Sequence, residues 1–189
     1  MTQFENGETC IADATEVSKL ISLIAHQIVE NHDRRDIADR KVVLLGIPSG
    51  GVPLAQRIEK EIAKISGVNL PTGAIDITPY RDDLRNRPHR ALRQTVYPTG
   101  GIQEKIVVLI DDVLFTGRTI RAALDALRDL GRPKRVELAV LVDRKQTEFP
   151  IKADYVGMQC DGLENQSLEC ELQPLDAQDR ILQRNEAAE

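Results

Sequence analysis

Residues 106–119 read IVVLIDDVLFTGRT, and the order of side chains in this stretch decides the fold. Residues 106–110 are an unbroken apolar run bounded by charge, which is how a strand buried on both faces of a parallel sheet reads. Asp111 and Asp112 follow, then a short turn with Thr116, Gly117 and Thr119, then a helical pattern over 120–130. Strand, acidic pair, hydroxyl-and-glycine turn and helix place a phosphate at a helix N-terminus and a polyol beside it. Thr116 and Thr119 offer hydroxyl donors, Gly117 lets the backbone approach closely, and the first helical turn supplies free N–H groups at the positive end of the dipole. The two carboxylates repel a phosphate and must face something else. Vicinal sugar hydroxyls, which need acceptors, fit, and so does a hydrated Mg²⁺. A ribose 5-phosphate satisfies both halves. Two acids at a buried strand end are costly without a ligand, which weighs against an accidental arrangement.

Outward from this stretch, strand patterns alternate with helix patterns. Residues 15–30 carry Val17, Leu20, Ile21, Ile24 and Ile28 at helical spacing, with Asp13 or Thr15 as the cap. Residues 42–45 read as a buried strand, and the glycine-rich loop 46–51 leads into a helix over about 53–65. Further strands are expected at 73–78, at 136–142, from 153 and around 168–172, with a helix stop at 131–133. Residues 1–12 and 176–189 read as terminal arms around a domain at 13–175, and 31–40 as a surface connection. The polar, basic stretch 83–101 is too long for a plain connection and reads as a lid, with Arg85, Arg87, Arg90 and Arg93 to meet an anionic substrate. The fold class is therefore α/β: one doubly wound domain, a mostly parallel sheet with flanking helices, and its site at the C-terminal ends of the strands.

Composition narrows the function. The 189 residues suffice for one α/β domain, and 29% charged with 41% hydrophobic residues is ordinary for a soluble protein. No apolar run is long enough to cross a membrane, and the first ten residues lack the basic and apolar parts of a signal peptide. Three cysteines without metal spacing fit a reducing cytoplasm. A net charge of −5 and the absence of Trp weigh against nucleic-acid binding as the main role. His26 reads as a packed, hydrogen-bonded helix residue, and His32 and His89 as solvated loop residues.

Other segments carry chemistry. Ser49, Gly50 and Gly51 lie between a strand and a helix, where backbone N–H groups make a second anion cradle or simply a tight turn. Arg81 follows a strand and suits pyrophosphate oxygens, with Asp82 or Asp83 to hold Mg²⁺ through water. Asp143 ends a strand on the same side. Tyr155 either stacks on a flat base, with the backbone of Val156 on the base edge, or is an ordinary core-edge residue.

The stretch VVLIDDVLFTGRT resembles the PRPP-binding signature of type I phosphoribosyltransferases, with Phe115 where a small residue is more usual. LIAHQIVE at 23–30, GAIDITPYRDDL at 73–84, the run 110–133, LAVLVDR at 138–144 and PIKADYVG at 150–157 are similar to the PyrR family of uracil phosphoribosyltransferases and pyrimidine-operon attenuators. The resemblance implies the type I fold with a flexible lid and a small C-terminal hood, a homodimer or higher homo-oligomer, and Mg²⁺ as cofactor. It implies catalytic roles for Asp111, Asp112 and Arg81. Ser49, Gly50 and Gly51 would take pyrophosphate, and Phe115, Thr116, Gly117, Arg118 and Thr119 the 5-phosphate. Asp143, Tyr155 and Val156 would bind the base, and Asp82, Asp83, Asp111 and Asp112 the metal through water. A cis peptide is expected at Ser49–Gly50. The substrates would be PRPP and uracil, the product UMP, and pyrimidine leader mRNA a further partner.

Three departures stand out. The pyrophosphate loop lacks the arginine of the usual Thr-Arg-Gly. The segment after Gly157 reads Met158-Gln159-Cys160 instead of the usual Lys-Asn-Val/Ile, which leaves a purine enzyme as a weaker alternative. Lys145-Gln146-Thr147 replaces a Gly-His-Arg of the RNA face, leaving Arg144, Lys145 and Lys152 as basic residues there. A UMP- or UTP-responsive RNA-binding regulator with weak or no catalysis is the second reading.

Overall fold

The computed structural model describes residues 8–82, 95–161 and 166–185, with the backbone of residues 2–3. In chain order the elements are β1 (Thr2–Gln3), β2 (Glu8–Ala12), α1 (Ala14–Asn31), α2 (Arg34–Ala38), β3 (Val42–Gly46), α3 (Gly51–Ser66) and β4 (Thr72–Ala74). A 3-10 turn (Thr78–Tyr80) precedes β5 (Ile106–Leu114), α4 (Arg118–Leu130), β6 (Arg135–Asp143), β7 (Tyr155–Gln159), β8 (Gln166–Glu171) and β9 (Arg180–Asn185).

The apolar runs read from the sequence are the middle of a five-stranded sheet in the order β4-β3-β5-β6-β7, every neighbouring pair parallel. Side chains alternate along each strand, and the alternation splits the core in two. Val42, Leu44, Val108 and Ile110 meet Ile24 and Ile28 of α1 and Leu54 and Ile58 of α3. Val43, Leu45, Val107 and Leu109 meet Ile120, Ala123 and Leu127 of α4 on the other face. Asp13 caps α1: its Oδ1 accepts from the Glu16 N–H at 2.9 Å while Glu16 Oε2 accepts from the Asp13 N–H at 2.9 Å.

Several expectations are corrected. The strand expected over 73–78 ends at Ala74, because Asp76 Oδ1 accepts from both the N–H and the hydroxyl of Thr78, at 2.9 and 2.6 Å, and turns the chain. The stretch 31–40 contains α2, with Ile37 buried. The segments read as arms pair with each other: β2 and β9 are antiparallel neighbours in a four-stranded sheet, β1-β2-β9-β8. His26 is exposed, its Nδ1 2.8 Å from the Ser22 carbonyl. His32 is buried, 3.1 Å from the carboxylate of Glu137. Asp83, Arg85, Arg87, His89, Arg90 and Arg93 lie outside the described residues.

Candidate active site

Strand β5 runs past its apolar stretch to Leu114, so the acidic pair belongs to the strand itself. Its pleat sends Asp111 toward the face of Leu109 and Asp112 toward the face of Ile110. Asp111 is buried, and its Oδ1 accepts from the Asp112 N–H at 3.1 Å. Burial, and then the charge of Asp112, push the Asp111 carboxyl well above the usual carboxylate range, while Arg81 pulls weakly the other way. A carboxylate so raised gains from any further cation or hydroxyl donor that comes to face it. Asp112 is half-buried, and its Oδ1 accepts from the Val113 N–H at 2.9 Å.

The turn after β5 is built for close approach. Gly117 precedes α4 at φ 87°, a left-handed conformation that strains any residue with a Cβ. The Arg118 N–H lies 3.4 Å from the Thr116 hydroxyl, and the first N–H groups of α4 have no partner within the helix. Thr116 and Thr119 are half-buried at this turn. The side chains of Phe115 and Arg118 lead elsewhere. Phe115 packs under the Arg144 guanidinium, 3.9 Å from its carbon to the ring centre. The Arg118 guanidinium lies 2.7 Å from Asp82 and 2.6 Å from Glu148. Asp82 is therefore already paired, which argues against its expected place at a metal.

The glycine loop between β3 and α3 reaches the same place. A Cβ on Gly50 would lie 2.3 Å from Asp112 Oδ2, and one on Gly51 2.1 Å from the Ile110 carbonyl oxygen. Only glycine permits this approach. The cis peptide of the loop is Pro48–Ser49, one residue before the expected position. Ser49, Gly50 and Asp112 line one side of a cleft of about 560 Å³, and Leu168, Cys170, Leu172 and Asp176 the other. Burial, then the charges of Asp112 and Asp111, hold the Cys170 thiol well above its usual range. A strand around 168–172 and a C-terminal hood were expected, but not their approach to the acids, which comes only through the packing of β8 over the sheet.

The base-binding expectation fares differently. Tyr155 is buried, and its hydroxyl donates to Glu137 at 2.8 Å and accepts from Asn31 at 2.7 Å. Burial first, with Glu137 next to it, pushes that hydroxyl's pKa up. The Val156 backbone is also taken, by the Gln27 side chain: its N–H donates at 3.2 Å and its carbonyl accepts at 3.4 Å. Neither residue offers a base the contact expected of it, and Tyr155 is the core residue of the two readings. Asp143 stands at the C-terminal end of β6, buried, 3.0 Å from Lys145 Nζ and accepting from the Lys145 N–H at 2.9 Å. Among the described residues no cluster of three metal-binding side chains occurs. Asp111 and Asp112 still suit Mg²⁺, which binds through one or two carboxylates and takes its other oxygens from water and substrate phosphates.

The comparisons agree with this architecture. Residues 10–173 match the phosphoribosyl transferase domain family. The chain is 50% identical over 189 residues to the bifunctional protein PyrR of Corynebacterium efficiens, covering 100% of this chain and 98% of that protein. To the bifunctional protein PyrR of Corynebacterium glutamicum it is 55% identical over 176 residues, 92% and 91% of the two chains. The fold is similar to that of the hypoxanthine phosphoribosyltransferase of Trypanosoma cruzi, with a TM-score of 0.72 at 16% identity over 96% and 99% of the two chains.

Proposed function

This chain belongs to the phosphoribosyl transferase domain family and, within it, to the PyrR proteins, and on that premise we propose that it transfers ribose 5-phosphate from PRPP to N1 of uracil. The C1–oxygen bond to pyrophosphate breaks, the C1–N1 bond forms, UMP and pyrophosphate leave, and the N1 proton passes to solvent. The observation that carries this reading is the contact of two anion-binding loops across one carboxylate: Gly50 touches Asp112, and Asp112 lies four residues before Thr116. A substrate with a phosphate at one end and a pyrophosphate at the other spans that gap.

Catalysis needs no covalent nucleophile here. Displacement at the anomeric carbon passes through an oxocarbenium-like state, and rate comes from positioning and charge. Asp112 accepts from the ribose hydroxyls. Asp111, whose charge is disfavoured by burial and by Asp112, is stabilised as a carboxylate by the hydroxyl donors, Arg81 or a cation that face it. The N–H groups at Thr116 to Thr119 hold the 5-phosphate, and those at Ser49 and Gly50 the pyrophosphate, while Gly51, whose N–H donates to the Ile47 carbonyl at 3.0 Å, lets the loop approach β5; Asp143 marks the side of the base. Mg²⁺ bound beside Asp111 and Asp112 would neutralise charge on the departing pyrophosphate. The enzyme works in the cytoplasm as a homo-oligomer.

The test is PRPP-dependent UMP formation from uracil with Mg²⁺, run beside hypoxanthine and guanine. Turnover with uracil is expected. Turnover with a purine alone would move the reading to a purine enzyme, which the altered segment after Gly157 makes worth checking.

The relatives' names are bifunctional, and regulation of pyrimidine-operon expression through leader RNA is the second half of the proposal. RNA affinity rests on exposed Lys and Arg. Arg144 is buried and donates to the Gln166 carbonyl at 2.7 Å, and Lys145 pairs with Asp143, so of the three basic residues at the expected face Lys152 is the exposed one that makes no ion pair among the described residues. A UMP-enhanced, salt-dependent shift of a structured pyrimidine leader RNA is the expected result. No shift at low salt would remove this half and leave the enzyme.

A further inference from the structure

The segment joining β6 to β7 touches the phosphate loop at each successive residue. The Glu148 N–H donates to the Thr116 carbonyl at 2.9 Å. A Cβ on Gly117 would meet Ile151 Cδ1 at 3.4 Å and Phe149 Cβ at 3.7 Å. Glu148 Oε2 lies 2.6 Å from Arg118 Nη2, on the opposite tine of the guanidinium from Asp82 Oδ2, which lies 2.7 Å from Nη1. The guanidinium carbons of Arg118 and Arg121 stand 5.5 and 5.7 Å from the Phe149 ring centre, and Arg121 reaches Asp82 at 3.7 Å.

We propose that Glu148 is a positioning residue for the 5-phosphate site, acting through Arg118; this rests on the reading of 115–119 as that site. The chemistry is a matter of what Arg118 would otherwise do. A guanidinium at the first position of α4 stands one residue from the N–H groups that must receive the phosphate, and two buried or half-buried carboxylates, Asp111 and Asp112, lie a few residues back. Arg binds carboxylates readily through its planar fork. Two carboxylates on its flanks, with an aromatic face beneath, fix that fork beside Phe149. The loop N–H groups and Asp112 then stay available to the substrate. The Glu148 backbone holds the Thr116 carbonyl in the same stroke, so loop shape and arginine orientation are set by one residue.

The pair is about half exposed on both sides, so its effect is modest and screened by salt. Ribose 5-phosphate is the probe, with PRPP kinetics beside it. In Glu148→Gln we expect the Kd for ribose 5-phosphate and the KM for PRPP to rise about fivefold, with kcat and melting temperature unchanged; fivefold is about 1 kcal/mol. In an Arg118→Ala background the same substitution should have no further effect, because Glu148 acts through that arginine. Unchanged Kd and KM in Glu148→Gln, or an equal loss in the Arg118→Ala background, would overturn the role. A wild-type protein that binds neither ribose 5-phosphate nor PRPP would overturn the phosphate site and this inference together, which separates the two failures.

Discussion

Two regions of this molecule bury a carboxylate in the same sheet, and their chemistry is opposite. Glu137, the third residue of β6, is surrounded by partners: His32 at 3.1 Å, the Tyr155 hydroxyl at 2.8 Å, and Arg135 on its other oxygen. Burial alone would raise its pKa, but the hydrogen bonds from His32 and Tyr155 and the nearby charges outweigh it, and the value is lowered. Asp111, toward the C-terminal end of β5, has a second acid beside it, and its value is raised. The Glu137 charge is answered from two sides, by His32 and Arg135, and is finished in that sense; the group fixes α1 against β6 and β7. The Asp111 charge is unfinished in the same sense, facing a like charge on Asp112, which lines the cleft, and a buried acid so perturbed beside a cleft points to a functional site. The lesson is that burial of an acid says little until its partners are counted.

The largest effect should come from breaking the unfinished end. Asp112→Asn removes the charge facing the pyrophosphate loop, and kcat/KM should fall by about a thousandfold with the melting temperature kept. Undiminished turnover would sink the role assigned to Asp112. At the finished end the outcome should invert: Glu137→Ala leaves His32 and Arg135 without their partner and should cost about 3 kcal/mol of stability. Urea unfolding would show it, while KM for PRPP stays put. A loss of activity without a loss of stability there would break the comparison.

Gly50→Ala sharpens the view of the active end. The added methyl meets Asp112 at 2.3 Å, so the carboxylate must move, and misplacement by about an ångström lowers kcat by about a hundredfold. The smallest effect is in pH. For His32, burial works against the charged ring, but the Glu137 and Ile28 hydrogen bonds and the Glu137 charge outweigh it and raise the pKa above 6.5. A raised histidine gives stability that is whole below its unfolded value and fades as pH rises through the folded one. The lowered Glu137 gives stability that is whole above its unfolded value of 4.5 and fades as pH falls through the folded one. The pair therefore stabilises most between about pH 5 and 6. Melting temperatures should decline as pH rises from there through the folded His32 value, and His32→Gln should flatten that decline.

Much of this was legible along the chain. The run 106–119 carried the parallel strand, the acids and the phosphate turn, because each depends on neighbours within a few residues. The need for glycine at 50 and 51, in the turn from strand to helix, was legible for the same reason. The misreadings fall where partners are distant in sequence. Tyr155 was readable either as a base platform or as a core-edge residue, and only Asn31 and Glu137, 124 and 18 residues away, decide for the core by claiming its hydroxyl. His32 looked solvated, and its partner lies in β6.

The sequence by itself determined the α/β class, the family and the two glycine turns at the strand ends, since apolar runs and glycine turns act locally. Only the tertiary structure decided which charges are satisfied. Asp82 and Arg118 are 36 residues apart, Arg118 and Glu148 30, and Ala12 and Ile181 are paired across nearly the whole chain. Electrostatic energy depends on distance in space and on exposure to water, and neither is written in the spacing of residues along a chain.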